Sequence, residues 1–316
     1  MKQVSHRPTL MALAAMASLL GYTGITFALP VVDAASSAST QTVTAVPVDG
    51  TSPGYANSQS NATDTTGQGS GYAFASGNGA YAVSSRADGM ADGTAYASFL
   101  TTIVNDTGVA QSYSLSFHIY GGYIEAMLNS GATLVDPESL LASYGASVKV
   151  NGNSVFESSA TIARDTGGIV LTKSGADLNP GDDGSDGSYS WGGAYYTIDL
   201  GVVAAGDSIA VLAEVDDTAF ADVGSYDFGG GSGYGGCGYG SAEATAIGTF
   251  AATTGDCFKG YASAFYGDPS ELTGQPFPGF NITGTPRGIP EPATLALAAL
   301  ALGAAGAAGR RRQSRL

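Results

Sequence analysis

Five carboxylate or amide side chains, Asp177, Asn179, Asp182, Asp183 and Asp186, stand among glycine and proline in the segment 177–186. Carboxylate and amide oxygens spaced along a glycine-rich turn are the donors that a calcium ion takes. The spacing departs from an EF-hand. Counting from Asp182, the third position is Gly184 and the twelfth is Gly193, so two ligand positions lack an oxygen side chain and a plain solvated turn is the competing reading. Just downstream, Tyr189, Trp191, Tyr195 and Tyr196 crowd the single tryptophan of the chain between two strand-like runs. Exposed rings of this kind stack on sugars, whereas packed rings belong to a core, the commoner fate of large aromatic residues. Glycoside hydrolysis requires two carboxylates set roughly 5 to 10 Å apart across a cleft. Glu125, Glu214 and Asp216 are candidates, but acids are too plentiful here to single out a pair.

Other catalytic signals are sparse. His118 sits mid-run on the polar side of an alternating segment, where a surface residue competes with a general base or metal ligand. Asp183-Gly184-Ser185-Asp186-Gly187 lacks the first glycine of a nucleophile elbow. The glycine-rich stretch 229–240 has neither the lysine nor the following helical pattern of a phosphate-cradling loop. Two cysteines, Cys237 and Cys257, lie about 20 residues apart with no histidine beside them and no CxxC spacing. In an exported protein such a pair forms a disulfide, which contributes about 3 kcal/mol in the chain-entropy account.

These residues must be positioned by strands. From residue 72 onward, short runs of alternating apolar and small polar residues are separated by glycine-rich turns. Residues 95–104 and 109–120 flank Asn105-Asp106-Thr107-Gly108, a hairpin signal, and Leu115, Phe117 and Ile119 share one face of the second run. The same pattern recurs around Asn151-Gly152-Asn153, and again around residues 202–207, where Ala204-Ala205-Gly206-Asp207 is the tight turn. One helix is expected: Asp136 caps it, Pro137 takes its first position, Glu138 complements its positive end, Leu140, Leu141 and Tyr144 pack, and Gly145 ends it. The expected fold is all-β, an antiparallel β-sandwich of jelly-roll type with one short helix. Residues 29–71 form a low-complexity Ser/Thr/Gly leader, either disordered or a set of short edge strands, and residues 72–289 form the β-sandwich domain.

Both ends read as targeting segments. Lys2 and Arg7 precede an apolar stretch, Leu10 to Leu20, and Thr26-Phe27-Ala28 offers the small residues of a signal-peptidase site, which places a signal peptide over residues 1–28, with cleavage after Ala34 or Ala35 as alternatives. At the other end, Pro290-Glu291-Pro292 is followed by uncharged residues 293–309 and then by Arg310, Arg311, Arg312 and Arg315. Seventeen apolar helical residues reach roughly 25 Å, the short end of a bilayer span. Arginines beside such a helix stay on the cytoplasmic side and stop transfer.

The tripeptide, the apolar run and the arginines of residues 290–316 resemble the PEP-CTERM sorting signal of exported proteins in Gram-negative bacteria, with Ile289 where valine usually precedes the tripeptide. That resemblance implies recognition by exosortase, a membrane protease-transpeptidase, with removal of the tail and delivery to the cell surface. It covers about a tenth of the chain and implies no activity for the domain before it. An uncleaved membrane anchor is the alternative.

Without residues 1–28 and 290–316 the chain keeps 261 residues, with six basic against 26 acidic side chains, a net charge of −20 compared with −15 for the whole. Such a surface repels nucleic acid and anionic lipid. The reading is an exported protein of the cell surface or extracellular matrix, with signal peptidase and exosortase as processing partners and the inner membrane as a transient one. Its expected role is structural or binding rather than enzymatic, linked to exopolysaccharide or biofilm. A glycan-binding module, with calcium as an optional ligand, and a polysaccharide-active enzyme are the alternatives. No other cofactor is expected.

Overall fold

Residues 81–104 form one strand of 24 residues, and the rest of the fold is arranged around it. Side chains at odd positions, from Val83 through Ala87, Ala91, Ala95, Ala97 and Phe99 to Ile103, are buried, and those between them reach solvent. An unbroken period of two over that length specifies a strand with one wet and one dry face. The computed structural model describes residues 26–27, 30–52, 54–77, 79–226, 257–267 and 280–286. Among them are eighteen strands, all paired antiparallel, and no helix. Residues 1–25 of the expected signal peptide, the sorting tail with its expected apolar helix, and Cys237 lie outside the described residues, whereas Thr26–Phe27, the end of that expected signal peptide, pairs with Ile103 and Val104.

In chain order β1 is Thr26–Phe27, β2 Val31–Thr40, β3 Val48–Ser52, β4 Tyr55–Thr63, β5 Gly67–Ser76 and β6 Tyr81–Val104. Then come β7 Gln111–Ile119, β8 Gly122–Leu128, β9 Ser139–Val150, β10 Asn153–Asp165, β11 Gly168–Gly175 and β12 Ser188–Trp191. The remainder are β13 Ala194–Val203, β14 Ser208–Asp222, β15 Ser225–Tyr226, β16 Cys257–Phe258, β17 Gly260–Gly267 and β18 Phe280–Pro286. A thirteen-stranded sheet contains β6 at its centre. The C-terminal part of β6 lies between β2 and β14, and the sheet continues through β9 and β10 to β11. The N-terminal part of β6 lies between β5 and β17, with β4 and β3 beyond one and β8 and β12 beyond the other. A second sheet orders β13, β7 and β18, and β15 pairs with β16 alone.

The two parts of the large sheet face each other, because β6 passes from one to the other. At one end they meet backbone to backbone. A Cβ on Gly71 of β5 would lie 2.2 Å from the carbonyl oxygen of Thr94, one on Gly69 would lie 2.3 Å from that of Asp92, and one on Gly93 would lie 2.0 Å from that of Ser70. Only glycine allows that approach. Beside this contact the Ser36 hydroxyl of β2 meets the Ser58 hydroxyl of β4 at 2.9 Å, both buried. At the other end the gap holds large rings: Tyr144 of β9 and Trp191 of β12 are 4.2 Å apart between centroids, with Tyr266 next to both. The three-stranded sheet closes the remainder, with Leu115, Phe117 and Ile119 of β7 buried and Phe117 set edge-on to Phe156 of β10.

Several sequence expectations change here. The expected helix from Asp136 to Gly145 is absent; the chain turns at the cis Asp136–Pro137 bond and enters β9. Leu140, Ala142, Tyr144, Ala146 and Val148 all point inward, a period of two that the helix reading overlooked. Residues 31–40, 48–52 and 55–63 of the leader are strands, though not all edge strands, since β4 lies between β3 and β5; the next strand, β5, crosses residue 72. The turn at Asn151-Gly152 is a two-residue hairpin, with φ of 49° and 81° at its two residues, as the β9–β10 register requires. The other two turns are not hairpins. Strand β6 pairs with β14 and β7 pairs with β13, so both residues 105–110 and 204–207 carry the chain between sheets. Asn105 holds these connections together: its buried side-chain amide donates to the carbonyls of Val109, Val203 and Ala204 at 2.9, 2.9 and 3.1 Å.

Candidate functional site

The acidic turn is built around a lysine. Lys173, on β11, places its ammonium 2.6 Å from the Asp177 carboxylate, 3.1 Å from the Asp182 carbonyl and 5.2 Å from the centre of the Tyr189 ring. The position that a cation would take among these oxygens is thus filled by the chain itself. The remaining carboxylates turn inward on their own loop. Asp182 accepts from the amide of Gly184, Asp183 from that of Ser185 and Asp186 from that of Ser188, each a local side-chain-to-backbone turn, and Asp182 also accepts from the amide of Ser190 across the loop. Asn179 donates from its side chain to the carbonyl of Ser190 at 2.7 Å. Burial pushes the Asp177 carboxyl up, but Lys173, the Tyr189 hydroxyl and the Asn179 amide outweigh it and hold the pKa below its ordinary value. Among the described residues no three His, Cys, Asp or Glu side chains converge on a common point. The structure therefore does not bring Asp177, Asn179, Asp182, Asp183 and Asp186 together as a calcium cage.

The aromatic group is also divided. Tyr189 and Trp191 are buried, at 0% and 5% exposure. The indole of Trp191 donates to the Tyr120 carbonyl at 3.0 Å and packs on Gly122, where a Cβ would fall 2.5 Å from the ring. The Tyr189 hydroxyl donates to Asp177 at 3.0 Å and accepts from the Asn179 amide at 3.0 Å, and burial raises its pKa. Tyr196 is stacked on Phe117 with its centroid 5.6 Å away. Only Tyr195 is well exposed, at 78%, and it lies flat against His118 at 4.3 Å. Tyr189, Trp191, Tyr195 and Tyr196 thus form no common platform: three of the four are committed to packing, the commoner of the two fates weighed for them. His118 is held between Tyr195 and Tyr120, on the solvent side of β7.

The three carboxylates lie on opposite outer surfaces. Ile124 and Ala126 point into the core, so Glu125 between them points out of β8. Val215 and Asp217 point inward, so Glu214 and Asp216 point out of β14, on the far side of the other layer. Glu125 accepts from the Tyr261 hydroxyl at 3.3 Å, and burial raises its pKa against the pull of Tyr261 and Arg86. Glu214 accepts from Lys149 at 2.5 Å and from Tyr96 at 3.1 Å, and Lys149 above all holds it below the ordinary carboxylate value. Asp216 reaches solvent yet is crowded by the sheet; that crowding, with Glu214 beside it, raises its pKa. Glu125 consequently shares no cleft with Glu214 or Asp216.

One group escaped the sequence reading. Asp217 is 1% exposed on the core face of β14, and neither carboxylate oxygen has a hydrogen bond of normal geometry; the nearest polar groups are Ser85 and the backbone of Ala95. Its only sequence signal is parity, since it occupies an inward position between Val215 and Ala219.

A protein-family profile described as "PEP-CTERM protein-sorting motif" matches residues 288–312. The matched segment contains Pro290, Glu291 and Pro292 together with Arg310, Arg311 and Arg312. No curated protein and no solved structure matches the chain.

Proposed function

We propose that the chain is an exported protein, processed at its tail by an exosortase-type enzyme and delivered to the cell surface or extracellular matrix, where its β domain serves a structural or binding role. The match at residues 288–312 carries this reading. The physics of the tail supports it: an apolar run with arginines after it arrests in a membrane, and prolines before it leave an extended backbone for a protease. Two facing antiparallel layers, close-packed by glycine at one end and by rings at the other, support a β-sandwich, an architecture suited to a rigid surface domain. A link to exopolysaccharide or biofilm belongs to the same proposal.

The test is mass spectrometry of protein recovered from cells and medium, with Pro290, Glu291 and Pro292 unchanged or replaced by alanine. The wild-type chain should end near Pro290 to Pro292, and the triple replacement should remain in the membrane at precursor length apart from its signal peptide. Recovery of wild-type protein from the medium with Arg310 to Arg315 still attached would refute the reading. The same spectra read the N-terminus, expected after Ala28; that position leaves β2, which contains Ala34 and Ala35, whole. We also infer a Cys237–Cys257 disulfide. Cys257 opens β16, and two thiols labelled stoichiometrically in unfolded, unreduced protein would exclude the bond.

A further inference from the structure

The outer face of β2, β6, β14, β9, β10 and β11 is ordered in rows. Register places Ser37, Thr94, Thr218, Ser143, Thr161 and Thr172 side by side across all six strands, and none of the six is buried. Strands are about 4.8 Å apart, so this ladder repeats a hydroxyl on the scale of one sugar ring and spans roughly 24 Å. At one end of the ladder two neighbouring hydroxyls meet, Ser37 Oγ and Thr94 Oγ1 at 2.7 Å. Each keeps acceptor capacity beyond one such bond.

Two different rows flank the ladder. On one side lie Phe220, Leu141, Ala163 and Val170, with Phe220 41% and Val170 61% exposed, an apolar strip for the C–H faces of sugar rings. On the other side lie Tyr96 and Asp216, followed by Gly145. A Cβ on Gly145 would stand 2.7 Å from Asp216 Oδ1, so the missing side chain leaves the carboxylate room to lie over β9. The charge of the face is one-sided. Asp33, Asp92, Glu157, Glu214 and Asp216 occupy outward positions, against one ammonium, Lys149, which is already paired with Glu214.

We propose that this face binds a linear polysaccharide without acidic groups, laid across the strands along the hydroxyl ladder. Apolar contact comes from the Phe220 row, hydroxyl recognition from the ladder, and the carboxylates accept from sugar hydroxyls or amino groups. Uronic or sulfated chains are repelled by the same carboxylates. The inference deepens the surface-binding role proposed above and rests on it; tail processing is measured separately, so correct processing without glycan binding would sink this inference alone.

The experiment is affinity electrophoresis and calorimetry of the purified protein with cellohexaose, chitohexaose, partly deacetylated chitosan and polygalacturonate. Binding of at least one neutral or amino-sugar probe, with none of polygalacturonate, is expected. Phe220→Ala and Ser143→Glu should each weaken that binding by about tenfold, as loss of one stacking ring or one ladder position implies. Ser114→Glu, on the outer face of the three-stranded sheet, should bind as wild type. Circular dichroism establishes that each variant is folded; Thr161→Glu replaces any that is not. The proposal is overturned if no probe binds, if polygalacturonate binds as well as the others, or if the folded ladder variants bind like wild type.

Discussion

Asp217→Asn should make the protein more stable at neutral pH, and the gain should grow with pH. Asp217 has Ala95 and Tyr144 as its neighbours along the sheet, and Tyr144 spends its hydroxyl on Ser158 at 2.8 Å. Burial raises the Asp217 pKa well above 3.8; Ser85 and the Ala95 backbone pull it down in part, and Asp216 pushes it up further. Among the described residues no cation is paired with it: Arg86 points outward and is bound to Asp88 through two bonds of 2.8 and 2.9 Å. The folded carboxyl therefore keeps its proton to a higher pH than the unfolded one. That stabilisation is complete below the unfolded value and is lost as pH rises toward the folded one, at about 1.4 kcal/mol per pH unit. Each unit of that slope is a sizeable share of a marginal fold. An amide cannot ionise, so Asp217→Asn removes the slope. Other acids cancel in the difference between the two proteins. Urea unfolding from pH 4 to pH 7 measures it directly, with fluorescence of the single, buried Trp191 as reporter. A difference that stays flat over that range, or that favours wild type as pH rises, would refute the argument.

Trp191→Ala should cost about 3 to 5 kcal/mol by calorimetry, the range for deleting a buried aromatic ring; a loss under about 1 kcal/mol would mean that the ring is not core. Gly71→Ala should cost about 3 kcal/mol, since its methyl group would meet the Thr94 carbonyl at 2.2 Å, while Gly108→Ala, with nothing within 4 Å, should lie within about 0.5 kcal/mol of wild type in the same urea assay. Lys173→Met should lower stability by about 1 kcal/mol and return the Asp177 pKa toward its ordinary range; an unchanged Asp177 titration, followed by NMR, would remove the lysine from the account of the acidic turn.

Local pattern was enough for some elements and ambiguous for others, for identifiable reasons. Leu115, Phe117 and Ile119 announce the buried face of β7, and Asn151-Gly152 announces a hairpin, because parity and left-handed backbone are properties of adjacent residues. Leu140 and Tyr144 are four apart, a spacing that serves one helical turn and two strand repeats equally well. Ala142, Ala146 and Val148 decide for the strand, and alanine carries too little hydrophobic weight to be heard against Leu141. The glycines at 67, 69 and 71 likewise alternate, but with no side chain they give no apolar signal. They are buried because β2 and β6 come within contact of β5.

The tail, the net charge of −15 and the all-β character follow from composition and order along the chain alone, since membrane arrest, surface repulsion and strand parity need no distant partner. The fate of the aromatics and acids does not. Tyr189 and Trp191 point inward at odd positions and Tyr196 at an even one, because Gly192 and Gly193 carry the chain from one sheet to another and parity restarts there. Asp217 is buried only because the other half of β6 crosses over its face, with Ser85 next to the carboxylate. A strand sets which side chains share a face; which face becomes core depends on the sheet that arrives from elsewhere in the chain.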